Sequence, residues 1–131
     1  NTSMEPKKRI MLVDDETEIL HVIGMALEYV GYETIRFSSS SAAARRLEEH
    51  NPFDLLITDM RMPGMDGMEI LKLARQRCPD KPVIMLTAYH SESSRCDAAA
   101  LGAFAFISKP PELSDLLDTV RAAFESPPPI K

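Results

Sequence analysis

Residues 10–16 read Ile10-Met11-Leu12-Val13-Asp14-Asp15-Glu16. Four consecutive apolar residues are too few for a helix, and they fit a strand buried on both faces. Such a strand belongs to a parallel sheet covered by helices on either side. The next segment supplies one of those helices. Ile19, Val22, Ile23, Ala26, Leu27 and Val30 recur at helical spacing, and Gly31 follows as a stop that tolerates a left-handed backbone.

The same alternation continues outward from this unit. Glu33 to Phe37 reads as a second, half-polar strand, and Ser38 to Ser41 offer caps for an Ala-rich helix ending near His50. Asn51-Pro52 breaks that helix. Phe53 to Thr58 is a third strand, followed by a loop from Asp59 to Gly67 that Pro63, Gly64 and Gly67 mark. Met68 to Cys78 is helical, Val83 to Thr87 a fourth strand, and Ser91 to Leu101 a short helix closed by Gly102. Phe104 to Ser108 is a fifth strand. After Lys109-Pro110-Pro111 a last helix carries Leu113, Leu116, Leu117, Val120 and Phe124 on one face. Strands alternating with helices predict an α/β doubly wound parallel sheet, (βα)5. Residues 8–125 are expected to form the domain. Residues 1–7 read as disordered or foreign to the natural chain, with Met4 a candidate start, and 126–131 as a Pro-rich tail or linker.

Composition narrows the function. The 131 residues suffice for one domain with a core, and 44% are hydrophobic. Fifteen Lys and Arg against twenty Asp and Glu leave a net charge of −5, which argues against direct nucleic-acid binding. No apolar run reaches the ~18 residues of a membrane span. Cys78 and Cys96 form no metal or disulfide pattern and read as reduced thiols of a cytoplasmic protein.

Open parallel sheets bind ligands beyond the carboxyl ends of their strands. At those ends stand Asp14, Asp15 and Glu16, then Asp59, then Thr87 and Ala88, then Lys109. Clustered carboxylates repel one another, and their hard oxygens suit Mg²⁺. Asp15 and Asp59 are the first choice as direct ligands, with Asp14 acting through water and the backbone carbonyl of Arg61 as a further oxygen. A carboxylate flanked by a divalent ion and an ammonium group suits an aspartate that accepts a phosphoryl group. Each residue also has an ordinary explanation. Asp15 with Glu18 fits a capping box, Asp59 fits a turn start, Thr87 fits strand propensity, and Lys109 fits a solvated surface charge. Their joint placement at successive strand ends is what favours the chemical reading.

Taken together, residues 10–16 (IMLVDDE), 54–67 (DLLITDMRMPGMDG), 83–88 (VIMLTA) and 102–110 (GAFAFISKP) resemble the receiver domain of two-component response regulators. The resemblance implies a flavodoxin-like five-stranded sheet of order 2-1-3-4-5. It implies Asp59 as phosphoacceptor, Asp14 and Asp15 as the acidic metal pair, and Thr87 and Lys109 as groups that bind the phosphoryl oxygens. Phe106 matches the switch aromatic, Ala88 a small position that keeps the site open, and Arg61 and Tyr89 the variable positions that tune phosphate lifetime. The Lys109-Pro110 bond is implied to be cis. Two departures stand out: Phe106 lacks the hydroxyl of the commoner Tyr, and Pro111 stands where Phe is frequent.

The implied function is a phosphorelay switch rather than an enzyme acting on an external substrate. A sensor histidine kinase or phosphotransfer protein would donate to Asp59 with Mg²⁺. The faces of the fourth and fifth helices and the fifth strand would then signal to a C-terminal output domain or a partner, with phosphorylation-dependent homodimerisation a further expectation. Three competing functions fit less well. An aspartyl phosphohydrolase would carry Asp-x-Asp after the first strand, where this chain has Asp14-Asp15. A flavin carrier would be repelled by Asp14, Asp15 and Glu16. An inert scaffold would not keep every reactive position filled.

Overall fold

The computed structural model describes residues 7–49, 53–88 and 92–126, for 92–94 the backbone only. Strand and helix alternate throughout: β1 (Arg9–Val13), α1 (Thr17–Tyr29), β2 (Glu33–Phe37), α2 (Ser40–Glu48), β3 (Leu55–Asp59), α3 (Gly67–Arg77), β4 (Val83–Thr87), α4 (Glu92–Ala100), β5 (Ala105–Ser108) and α5 (Leu113–Glu125). The strands form one parallel sheet in the order β2-β1-β3-β4-β5. Every residue of β3 and β4 is buried, as continuous apolar runs require. The edge strands β2 and β5 are only partly covered.

Side chains alternate across the sheet and divide the core in two. Met11, Val13, Leu56, Val83 and Met85 pack with Ala43 and Leu47 of α2, Ile70, Leu71 and Ala74 of α3, and Ala98 of α4. Ile10, Leu12, Leu55, Ile57, Ile84 and Leu86 pack with Leu20, Ile23 and Leu27 of α1, and Leu116, Val120 and Ala123 of α5.

Several local expectations shift. The buried face of α1 is Leu20, Ile23, Gly24 and Leu27, whereas Val22 and Val30 of the expected stripe are exposed. Gly24 is covered by the Arg36 guanidinium, which a Cβ there would have to push aside. Arg36 is held there by Glu28 at 3.0 Å. Phe53 is buried but precedes β3, whose ladder starts at Leu55 opposite Ile10. Asp54 leaves the ladder to accept the Arg9 N–H at 2.8 Å. Phe104 likewise precedes β5, its N–H donating to Val83 O at 2.7 Å. The α2 helix ends at Glu48 with Glu49 as its C-cap, close to the expected end near His50; the break at Asn51-Pro52 and the start of α4 at Ser91 lie outside the described residues.

The loop after β3 is pinned at its far end. Asp66 and Glu69 form a capping box, each side chain accepting the other's backbone N–H at 3.0 Å. The Gly67 N–H donates to Met60 O at 2.8 Å. A Cβ on Gly67 would overlap the Asp59 carbonyl and the Met60 backbone, and backbone cannot swing aside as a side chain can. Gly67→Ala is therefore expected to cost roughly 2–3 kcal/mol in urea unfolding. An unchanged midpoint would mean the loop has slack.

Candidate functional site

The sheet order reverses between β1 and β3, and the strand ends at that switch carry the charged residues. Val13 pairs with Thr58, so Asp14 and Asp59 leave adjacent strands at the same edge. Asp14 is anchored by its own backbone, whose N–H donates to Phe37 O at 3.0 Å. Its Oδ1 accepts the Glu16 N–H at 2.9 Å. That bond takes over an orphan amide at the start of α1. Glu16 occupies the N-cap without a side-chain bond, so the capping box considered for Asp15 and Glu18 does not form.

Lys109 enters from the other side. Thr87 and Ser108 are partners in the β4–β5 ladder, and the Lys109 N–H donates to Thr87 O at 2.9 Å. The Lys109-Pro110 peptide bond is cis. The Lys109 side chain, only 8% exposed, places Nζ 2.9 Å from Asp14 Oδ2, 3.3 Å from Asp59 Oδ2 and 2.6 Å from Glu16 Oε1. The last contact ties an exposed acid to the site, and no local pattern announces it. The adjacency of Glu16 to the Asp14-Asp15 pair was the only available signal.

The acids are individually uncomfortable. Burial, and then the charge of Asp14, push the Asp59 carboxyl up from 3.8 to about 6, against the pull of Lys109. Burial also raises Asp14, only partly offset by the Glu16 N–H and by Lys109. Burial would lower Lys109, but its bonds to Glu16 and Asp14 and the charges around it win, and its pKa is raised. The ammonium is thus firmly charged, but it is one cation shared among three carboxylates.

A divalent ion would meet that need. Asp14, Asp15 and Asp59 each offer an oxygen within 4.8 Å of the others. Asp14 Oδ2 is buried and accepts no hydrogen bond; Lys109 Nζ meets it as an ion pair at 2.9 Å and donates its hydrogen bond to Oδ1 at 3.2 Å. An orphaned buried carboxylate oxygen beside two further carboxylates fits a hard cation such as Mg²⁺. Beside them a cavity of about 260 Å³ is lined by Asp15, Glu16, Asp59, Arg61, Thr87, Ala88 and Lys109. Asp15 and Arg61 are exposed, and Thr87 is buried. Tyr89 lies outside the described residues. Phe106 sits on β5 opposite Met85, half-buried against the α3–α4 side of the core. It is one strand residue of the same parity as Ser108 and thus lies on the face away from Ile107.

A second cavity, about 450 Å³, opens at the opposite end of the sheet near Lys8, Asp54, Pro82, Phe104 and Phe124. Its acids are already engaged, Asp54 by the Arg9 N–H and, at 3.9 Å, by Lys81. Among the described residues, Asp14, Asp15, Asp59 and Lys109 converge at the carboxyl edge instead.

Comparison with known proteins agrees with this fold. Residues 10–121 match the family described as response regulator receiver domain. The chain is 36% identical over 117 residues to the response regulator protein PilR of Pseudomonas aeruginosa, covering 89% of this chain and 26% of that protein. It is 34% identical to the response regulator receiver protein CpdR of Brucella abortus, covering 86% of this chain and 93% of that one. The crystal structure of a CheY-like response regulator receiver domain protein from Methanospirillum hungatei superposes with a TM-score of 0.87 at 32% identity, over 92% of this chain and 95% of the other. The chain therefore spans about a quarter of the length of one such relative and nearly all of another.

Proposed function

The chain belongs to the response regulator receiver domain family, and from that premise we propose that it is a phosphorelay switch with Asp59 as its phosphoryl acceptor. The observation that carries the reading is the approach of the Lys109 ammonium to within 3.3 Å of Asp59 Oδ2, with Asp14 and Asp15 each offering an oxygen within 4.8 Å of an Asp59 oxygen.

The donor is a phosphohistidine of a sensor kinase or phosphotransfer protein. An Asp59 carboxylate oxygen attacks phosphorus, the P–N bond breaks, and its electron pair returns to the imidazole nitrogen. Asp14, Asp15 and Asp59, with the Arg61 backbone carbonyl, would hold Mg²⁺, and the ion would supply neutralisation of the charge on the transferring group. Lys109 neutralises a second phosphoryl oxygen, and the Thr87 hydroxyl donates to a third. Ala88 at the cavity wall leaves room for the incoming group.

The new phosphoryl group carries nearly two negative charges and three acceptor oxygens. Thr87 moves toward it, and the Phe106 ring fills the space released. The α4-β5-α5 face changes shape and signals to an output domain or partner. Arg61 and Tyr89, two residues beyond Asp59 and Thr87, tune the lifetime of the phosphoryl group.

Acetyl phosphate or beryllofluoride, each with Mg²⁺, is expected to shift the NMR signals of Thr87 and Phe106 and to leave those of the β2 edge in place. A folded, Mg²⁺-loaded sample whose Thr87 and Phe106 signals stay still would overturn the switch.

A further inference from the structure

The Arg95 guanidinium lies over the Phe106 ring, its carbon 5.5 Å from the ring centroid. We propose that Arg95 is a positioning residue of the switch: by stacking on Phe106 it holds the ring in its resting place and sets how hard the ring is to move. The inference rests on the phosphorelay reading above and extends it to a residue outside the phosphoryl site.

The placement follows from α4. Ala98 is fully buried against the core cluster that also receives Phe106. Arg95 stands three residues earlier, so it shares that helical face, one turn nearer the carboxyl edge of the sheet. Ala98 brings the helix close to the sheet, and the long Arg95 side chain then extends over the edge strand. Arg95 itself is exposed, while the ring beneath it is half-buried.

The chemistry suits this aromatic in particular. Phe106 has no hydroxyl, so no hydrogen bond can fix its resting rotamer. A ring face attracts a guanidinium through its quadrupole, and Arg does this better than a point charge because it is planar and weakly hydrated. If the ring turns toward the space beside Thr87, it leaves the guanidinium behind. The contact therefore exists in one state only and biases the equilibrium between the two. Its size at an exposed site corresponds to about a two- to fivefold change in population.

The test uses the 131-residue chain with the variants Arg95→Gln, Arg95→Lys and Phe106→Leu. In the resting protein the Arg95 side-chain protons are expected to show an upfield ring-current shift that Phe106→Leu abolishes. In a beryllofluoride titration with Mg²⁺, followed at Thr87, Arg95→Gln is expected to lower the half-saturation concentration about two- to fivefold. Arg95→Lys retains part of the wild-type value, and Arg95→Gln has no effect once residue 106 is Leu. Equal titrations for wild type and Arg95→Gln, or an Arg95→Gln effect that persists in the Phe106→Leu background, would overturn the proposal. Thr87 signals silent to beryllofluoride in the wild type, with the ring-current shift still present, would sink the phosphorelay reading and Arg95's role with it. That pattern differs from a failure of Arg95 alone.

Discussion

Asp59→Asn is expected to abolish phosphoryl acceptance completely and, at neutral pH, to make the protein harder to unfold. The first effect needs no subtlety, since the nucleophilic oxygen is gone. The second follows from the electrostatics. A carboxyl whose folded pKa rises from 3.8 to about 6 favours its neutral form in the native state, a difference on the order of 3 kcal/mol. Between those two values the native state binds more protons than the unfolded chain does. Stability contributed by this group is therefore present at low pH, falls as pH rises from about 4 to about 6, and stays lost above that. Asn imitates the neutral form at every pH. It forgoes the contact with Lys109, which keeps Asp14 and Glu16, so the net gain is expected to be about 1–3 kcal/mol at pH 7.5 without Mg²⁺. Urea unfolding of both proteins at pH 5 and 7.5 checks it: the gap should open with pH. A variant less stable than wild type at pH 7.5 would show that Lys109 contributes more than burial costs. Intact-mass measurement after acetyl phosphate treatment checks the first effect.

Lys109→Met is the opposite experiment, and the expected result is a large loss. Met keeps most of the apolar stem and removes the charge. Asp14 and Asp59, both nearly fully buried, then face each other with no cation between them. Removing one member of a buried charged cluster typically costs about 3–5 kcal/mol, because the remaining charges are left uncompensated. Acidification relieves this, since both carboxyls already resist ionisation and would resist it more without the ammonium. Unfolding measurements should accordingly find the deficit large at pH 7.5 and smaller at pH 5. Self-phosphorylation by acetyl phosphate is expected to slow by about 10²–10³, the usual consequence of deleting one group that stabilises developing charge. A variant of wild-type stability at both pH values would mean that solvent screens the cluster far better than its burial implies.

Much of this architecture is legible in the sequence because parallel strands announce themselves. Leu55 to Thr58 and Val83 to Leu86 are buried on both faces, so no polar alternation interrupts them. The half-polar Glu33 to Phe37 reads correctly as a weaker strand, and it lies at an edge. The chemistry at the strand ends is visible for a related reason: a topology that aligns the carboxyl ends also gathers whatever residues follow them. What the sequence conceals is decided at long range. Asp15-x-x-Glu18 and Asp66-x-x-Glu69 are the same local signal, yet only the second forms a capping box. At the first, the Asp14 carboxylate takes the amide of Glu16, and Lys109, 95 positions away from Asp14, takes the Glu16 side chain. Val22 and Val30 fit the helical period but face solvent, because the sheet meets α1 along Leu20, Ile23, Gly24 and Leu27. The stacking of Arg95 on Phe106 is equally a product of how α4 docks.

The uneven covering of the sheet has a mechanical consequence. β3 and β4 are sealed on both sides, whereas the four residues of β5 are only half-covered or exposed and have a neighbour on one flank alone. A strand with one paired flank and partial cover yields at lower free energy than the ones beside it. Phe106 belongs to that compliant strand, and Lys109 follows directly from it. Asp59, by contrast, closes a strand that is buried along its whole length and paired on both flanks. On the phosphorelay reading, the chemistry would be anchored on the covered interior and its readout carried on the compliant edge, so a change of charge at one place could deform the other without loosening the body between them.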